Sequence, residues 1–184
     1  MVTELVQYIE DDVRINKLTA EGLLAGISLD TKNFAFKTGV RTFEAASYLK
    51  KSGADTIEVK KLFNSDIKDF ITKAEIIQNA KVINNNICLA YTKTETDNIN
   101  IVIAQAADEL LNIKEVEASF VLARKDDRVF ISARSLGNIN VHVLMENLGG
   151  GGHRDMAGAQ LDTSLEKAYE MVKDTIQTCI KEEE

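Results

Sequence analysis

Four consecutive glycines occupy positions 149–152, and His153 and Arg154 follow at once. Glycine loses more backbone entropy on folding than any other residue, roughly 0.5–1 kcal/mol relative to alanine in a regular element. A run of four inside a folded domain therefore needs a physical reason, and the flanks restrict what it can be. Ile139, Val141, Val143, Leu144 and Leu148 precede the run, and Met156, Ala157, Ala159 and Leu161 follow it. Such apolar flanks belong to packed structure, so a flexible glycine linker is the weaker alternative. The stretch 140–161 reads instead as a loop whose backbone lies close to a ligand. Its bare N–H groups act as donors, and the adjacent imidazole and guanidinium supply directed contacts, an arrangement suited to phosphate.

The character of the chain changes near residue 81. Before it, apolar residues recur at helical spacing. Leu5, Val6, Ile9 and Val13 mark a helix over 3–16, and Thr19 can cap a second helix that runs through Gly26. Ile27-Ser28-Leu29 is a short apolar run that ends in Asp30 and a turn, which presents a carboxylate at the edge of a core. A third helix covers 42–51, with Phe43, Ala46 and Leu49 on one face, and Gly53 ends it. Asp55 and Glu58 form a capping box for a fourth helix over 56–63, and Ser65 opens a fifth that runs to about residue 80.

After residue 81, Val82-Ile83 and 87–91 are strand-like, separated by three asparagines at 84–86. Residues 98–111 are helical, with Ile101, Val102, Ala104, Ala107, Leu110 and Leu111 apolar. Segments 117–124 and 128–134 alternate and are joined by Lys125-Asp126-Asp127, which predicts a hairpin. A short helix over 140–148 runs into the glycines, a small-residue strand covers 157–161, and a final amphipathic helix covers 163–180 before a frayed tail at 181–184. The fold class is α/β in the α+β sense: a helical part over 1–80, then a mixed-sheet α/β unit over 81–184, with no internal repeat. The chain has no proline, so its turns rest on Gly, Asn and Asp.

Charge bounds the ligand. The net charge of −7 argues against a surface built to neutralise many phosphates of a long nucleic acid. Between residues 124 and 154, however, Arg124, Lys125, Arg128, Arg134 and Arg154 outnumber Asp126, Asp127 and Glu146. Local positive charge of this kind suits a small anion, although scattered surface arginines give the same count. Cys88 and Cys179 have neither metal nor redox spacing, which suggests a reduced, cytoplasmic protein. No apolar run reaches the ~18 residues needed to cross a bilayer, and no stretch reads as a signal peptide.

Seven positions carry the candidate chemistry. Gly150, Gly151, Gly152 and His153 form the proposed cradle, with a structural turn as the alternative for His153. Arg134 and Ser135 close the second strand of the hairpin. Arg134 is either a bidentate phosphate ligand or a surface arginine at a strand end. His142 on the short helix reads as structural, while Asn138 and Asn140 either cap that helix or reach a ligand. Asp30 is a turn former or a metal ligand. Hydrolysis by two metal ions needs five or more carboxylate and imidazole ligands. With two histidines, no His-x-Asp cluster and no Asp-His pair, this chain cannot build such a centre alone.

Taken together these motifs resemble a known family. The stretch 140–160, with GGGGH at 149–153, resembles the signature of the domain associated with DHH-family phosphoesterases. LDTKNF at 29–34, followed by GVRTFEAASYLKKSGAD at 39–55, resembles the last metal-binding motif of the DHH domain and the helices after it. In this order the two are similar to the C-terminal part of bacterial cyclic-di-AMP phosphodiesterases of the GdpP type. The glycine–histidine motif alone also recurs in RecJ-like nucleases, oligoribonuclease-type enzymes and the alanyl-tRNA synthetase C-terminal region.

The resemblance implies the helical end of a DHH domain over 1–80 and a DHH-associated substrate-binding domain over 81–184. It implies hydrolysis of cyclic-di-AMP to a linear dinucleotide with two manganese ions, Asp30 as the last metal ligand, and Gly150, Gly151, Gly152 and His153 as the substrate loop. Arg134 and Ser135 become substrate contacts. It also implies a membrane-anchored parent with its catalytic part facing the cytoplasm, and it allows a homodimer. The earlier metal motifs are absent, so the chain is expected to begin inside the DHH domain and to be inactive alone. A non-catalytic nucleotide- or RNA-binding module is the competing expectation, and Asp30 in its LDTKNF setting favours the enzyme.

Overall fold

A computed structural model describes residues 1–9, 15–36, 38–84 and 86–182. Two compact units emerge, Met1–Asn64 and Ser65–Glu184.

The first unit is helical: α1 (Val2–Ile9), α2 (Lys17–Asp30), α3 (Val40–Lys51) and α4 (Thr56–Lys61). Of the expected helix over 3–16, Val13 lies outside the described residues. Asn16, rather than Thr19, caps α2, because its Oδ1 accepts from the Thr19 N–H at 2.8 Å. The run Ile27-Ser28-Leu29 is not a separate element but the last turn of the same helix. Ala20, Leu24 and Ser28 fall four residues apart, which keeps one buried stripe continuous to the helix end. The helix stops where the Thr31 hydroxyl donates to Ile27 O at 2.7 Å and accepts from the Phe34 N–H at 2.9 Å. Lys32, Asn33 and Phe34 then take φ of 46°, 55° and 67°, three non-glycine residues in the left-handed region immediately after Asp30.

Ala20, Leu24, Leu49, Ala54 and Val59 form the core of this unit. Phe43 stays half exposed and stacks on Phe34 with ring centroids 5.5 Å apart. Asp55 caps α4 by accepting from the Ile57 N–H at 2.8 Å, and that bond holds its carboxyl below the usual range. The reciprocal half of the expected capping box is replaced. Glu58 accepts from Lys61 Nζ at 2.7 Å, while the Asp55 N–H donates to Glu21 Oε1 at 3.2 Å.

The second unit contains α5 (Ile67–Gln78), β1 (Lys81–Ile83), β2 (Ile87–Thr92), α6 (Ile99–Leu110), β3 (Ala118–Lys125), β4 (Arg128–Ser135), α7 (Val141–Glu146), β5 (Gly151–Gly152), β6 (Met156–Leu161) and α8 (Leu165–Glu182). Among the described residues six strands form one mixed sheet in the order β1-β2-β3-β4-β6-β5. Only the β2–β3 pair is parallel, with α6 as its crossover. The hairpin turns on Asp126-Asp127, where Asp126 has φ 54° and Lys125 pairs with Arg128.

Helices cover both faces, so the middle strands are buried on both sides. Leu89, Phe120, Leu122, Ile131 and Ala133 meet α7 and α8 on one face. Cys88, Ala90, Val121 and Ala123 meet α5 and α6 on the other. On α6 the inward stripe is Ile99, Val102, Ile103, Ala106, Ala107 and Leu110, whereas Ile101 is exposed. Helix α5 explains why the units divide after Asn64 and not near residue 81. It starts at Asp66, whose Oδ1 accepts from the Asp69 N–H at 2.9 Å, and its fully buried Ile76 packs with Cys88, Val102 and Ile103. Its partners are those of the sheet. No helix among the described residues is long and apolar enough to cross a membrane.

Candidate functional site

The four glycines do three different things. Gly149, at φ +76°, ends the α7 turn in the left-handed region, and the next N–H, from Gly150, donates back to Met145 O at 2.8 Å. A Cβ on Gly150 would lie 2.2 Å from Gly158 O and 2.6 Å from the Ala159 Cβ. One on Gly152 would lie 2.4 Å from Met156 O, at a backbone φ of +149°. These two positions let β5 close on β6. Gly151 is the exception: a Cβ there would meet nothing within 4 Å, and its φ is not in the left-handed region. Three glycines are therefore needed by the fold, and the side of Gly151 is open to a ligand.

The chain turns directly after β5. The His153 N–H donates to Met156 O at 2.7 Å and the Met156 N–H returns to His153 O at 3.2 Å. The His153 imidazole is exposed and makes no hydrogen bond among the described residues. Arg154, read from sequence as a companion to that imidazole, is committed elsewhere. Its Nε donates to Gly137 O at 3.1 Å and its carbonyl accepts from the Val141 N–H at 3.1 Å, which ties the loop before α7 to the turn.

Arg134 is not a surface arginine. Its residue exposure is 9%, Nη1 donates to Ser132 Oγ at 3.0 Å and to Ala133 O at 2.9 Å, and Nε lies 3.4 Å from Asp108 Oδ1 on α6. That last approach is an ion pair without hydrogen-bond alignment, since Nε has no hydrogen-bond partner. Arg134 stands in register with Met156, the residue that closes the His153 turn, so the two candidates share one end of the sheet. β6 lies between them. Two strand spacings separate β4 from the glycine strand, about 10 Å.

Ser135 points to the opposite face from Arg134, because successive strand residues alternate. It is buried, its Oγ accepts from the Gly137 N–H at 2.8 Å, and its own N–H donates to Asp155 O at 3.0 Å. Those bonds give Ser135 a structural role in the turn. Asn140 sits at the N-cap position of α7 without making a cap bond, and its Oδ1 is buried without a partner. His142 Nε2 lies 3.8 Å from Glu146 Oε2 on the next turn.

The other basic residues of the stretch also have partners within the fold. Arg128 pairs with Asp162 at 2.9 Å, Arg124 lies 3.7 Å from Asp127, and Lys125 donates to Asp97 O at 2.9 Å. Asp108 was not singled out from sequence. Its neighbour Glu109 is equally acidic, so nothing local in the helix sets it apart.

Asp30 belongs to the first unit. It is the last residue of α2 and is exposed, and its carboxylate makes no hydrogen bond among the described residues. Among the described residues no group of three His, Cys, Asp or Glu side chains is placed to hold a metal ion. Cys88 is buried, and burial pushes its thiol up, which makes it an unreactive core residue.

Residues 84–182 match the DHHA1 domain family. The chain is 46% identical over 180 residues to "Cyclic-di-AMP phosphodiesterase GdpP" of Bacillus subtilis, covering 96% of this chain and 27% of that protein. It is 42% identical over 170 residues to "Cyclic-di-AMP phosphodiesterase PdeA" of Listeria monocytogenes, covering 91% of this chain and 26% of that protein. It thus spans about a quarter of the length of the curated relatives it matches. Among solved structures, an exopolyphosphatase-related protein from Bacteroides fragilis superposes with a TM-score of 0.80 at 21% identity, over 89% of this chain and 51% of that one, which shows the fold alone. With the glycine turn, the six-stranded sheet and the match over residues 84–182, the chain belongs to the DHHA1 domain family.

Proposed function

We propose that this chain is the nucleotide-binding portion of a phosphodiesterase that hydrolyses cyclic-di-AMP to a linear dinucleotide. The observation that carries the reading is the split among the glycines. Gly150 and Gly152 are explained by the approach of β5 to β6, but nothing in the fold explains why Gly151 has no side chain. An open backbone position next to an exposed, unpartnered imidazole suits an anionic ligand that comes close to the chain. The names of the relatives supply the ligand, and the net charge of −7 favours a dinucleotide over a long polymer.

In this reading manganese is bound by residues beyond this chain together with Asp30, which supplies one ligand. Two such ions lower the pKa of a bound water and neutralise phosphate charge. The part performed here is to bind and orient the dinucleotide through Gly151, His153 and, behind them, Arg134. The isolated 184-residue chain is expected not to hydrolyse cyclic-di-AMP in manganese buffer. Turnover by the purified chain, free of longer enzyme, would refute the division of labour.

Removing the His153 ring is expected to weaken cyclic-di-AMP binding by the full-length protein that carries this segment. A hydrogen bond to a charged group is worth about 1.5–3 kcal/mol, roughly tenfold to a hundredfold in affinity. Because the ring is exposed and has no partner among the described residues, the melting temperature of His153→Ala should match the parent. Titration calorimetry and thermal unfolding on the same sample separate the two, and unchanged affinity removes His153 from the site.

A further inference from the structure

A groove of about 510 Å³ runs along the α6 side of the sheet, beyond the helix and beside the glycine strand. Its walls include Asn100, Phe130, Ser132, Gly150, Gly158 and Gln160. Strand alternation explains the arrangement. Phe130, Ser132 and Arg134 lie on one face of β4, and Gly158 and Gln160 lie on the same face of β6, paired with Ser132 and Phe130 respectively. Gly158 puts no side chain on the floor, while Asn100 enters from the first turn of α6. The Asn100 and Gln160 amides are exposed, and neither makes a hydrogen bond among the described residues. Phe130 is half buried and packs against the α6 core, so its ring is held in place.

We infer that this groove is a base-binding subsite that selects adenine, with the Phe130 ring as the stacking surface and the Gln160 and Asn100 amides reading the base edge. This rests on the reading that the neighbouring glycine loop binds a nucleotide. Each carboxamide offers one donor face and one acceptor face. That pair matches the exocyclic amine and ring nitrogen of adenine, whereas guanine presents two acceptors on one edge and calls for an arginine. No charged side chain lines the groove. A flat aromatic wall supplies stacking on any base, so the amides must carry the discrimination. The subsite is also coupled to the anion side: Ser132 accepts from Arg134 Nη1 at 3.0 Å, and Arg134 and Phe130 are four residues apart on one strand, about 13 Å.

The test uses the full-length protein that carries this segment, with non-hydrolysable phosphorothioate cyclic-di-AMP and its hypoxanthine counterpart, in which oxygen replaces the exocyclic amine. Gln160→Ala and Asn100→Ala are expected to weaken adenine binding by roughly tenfold while changing hypoxanthine binding little, because the lost contact is to the amine. Phe130→Leu, which keeps the apolar packing, should weaken both ligands by roughly tenfold. If these three variants bind both ligands like the parent while Gly151→Ala and His153→Ala bind weakly, the groove proposal is overturned and the loop reading stands. If all five bind like the parent, both are overturned. If the three groove variants weaken binding and the loop variants do not, the base subsite is upheld and the loop is not the anion site.

Discussion

Replacing Asp30 by alanine in the full-length protein that carries this segment is expected to abolish hydrolysis of cyclic-di-AMP and to leave the melting temperature where it was. The structure separates the two effects. Asp30 is exposed at the C-terminal end of the fourteen-residue helix α2 and accepts no hydrogen bond among the described residues. The turn after it is held by others: the Thr31 hydroxyl, the Asn33 N–H to Ser28 O at 2.8 Å and the Phe36 N–H to Thr31 O at 2.9 Å. A carboxylate at the carbonyl end of a helix also faces the negative end of the macrodipole, so its removal does not weaken the helix. Loss of even an outer-shell partner of a metal commonly costs 10–100-fold, so loss of a ligand should lower turnover by at least ~100-fold. Steady-state hydrolysis and thermal unfolding of the same preparation decide the point. An active Asp30→Ala enzyme would take the residue out of the metal centre.

The second large effect lies in the glycine run, where adjacent positions should behave oppositely. Gly150→Ala and Gly152→Ala each drive a methyl to within 2.4 Å of a β6 carbonyl oxygen, and the oxygen is backbone that cannot rotate away. Overpacking of this kind costs about 1–3 kcal/mol or more, so both variants should melt several degrees lower. Gly152→Ala carries the added strain of a φ of +149°. Gly151→Ala has open space and an ordinary φ, so it should melt like the parent. Its cyclic-di-AMP affinity should nevertheless fall sharply, because the methyl occupies the space the phosphate needs. A Gly151→Ala protein with parental affinity would end the cradle reading. One that melts as low as its neighbours would make the whole run structural.

The behaviour of neighbouring residues explains why only part of the site was legible. The glycine run was identifiable because four residues without side chains between apolar flanks contradict local propensity. Which glycine does what was not, since Gly150 is constrained by Gly158 and Ala159, eight and nine residues away across a strand pair. Arg134 and Ser135 were read as one contact pair, yet strand alternation sends them to opposite faces. The carboxylate that faces the buried Arg134 belongs to Asp108, a helix residue far from it in sequence.

Local periodicity was enough to determine the succession of most helices and strands and the hairpin at Asp126-Asp127. Each of these rests on contacts a few residues apart, or on a 3.6- or 2-residue repeat that one segment carries by itself. Caps were less certain. Asn16 and Asp66 took the positions assigned to Thr19 and Ser65, because several polar residues near a helix start can serve and packing of the first turn selects one. The tertiary structure alone decided that α5 joins the sheet, that β6 separates β4 from the glycine strand, and that Gly158 and Gln160 face Ser132 and Phe130 across a groove. Strand order and register are set by which distant segments bury each other's apolar faces. A sequence records that each face exists, and only the assembled sheet shows which faces meet.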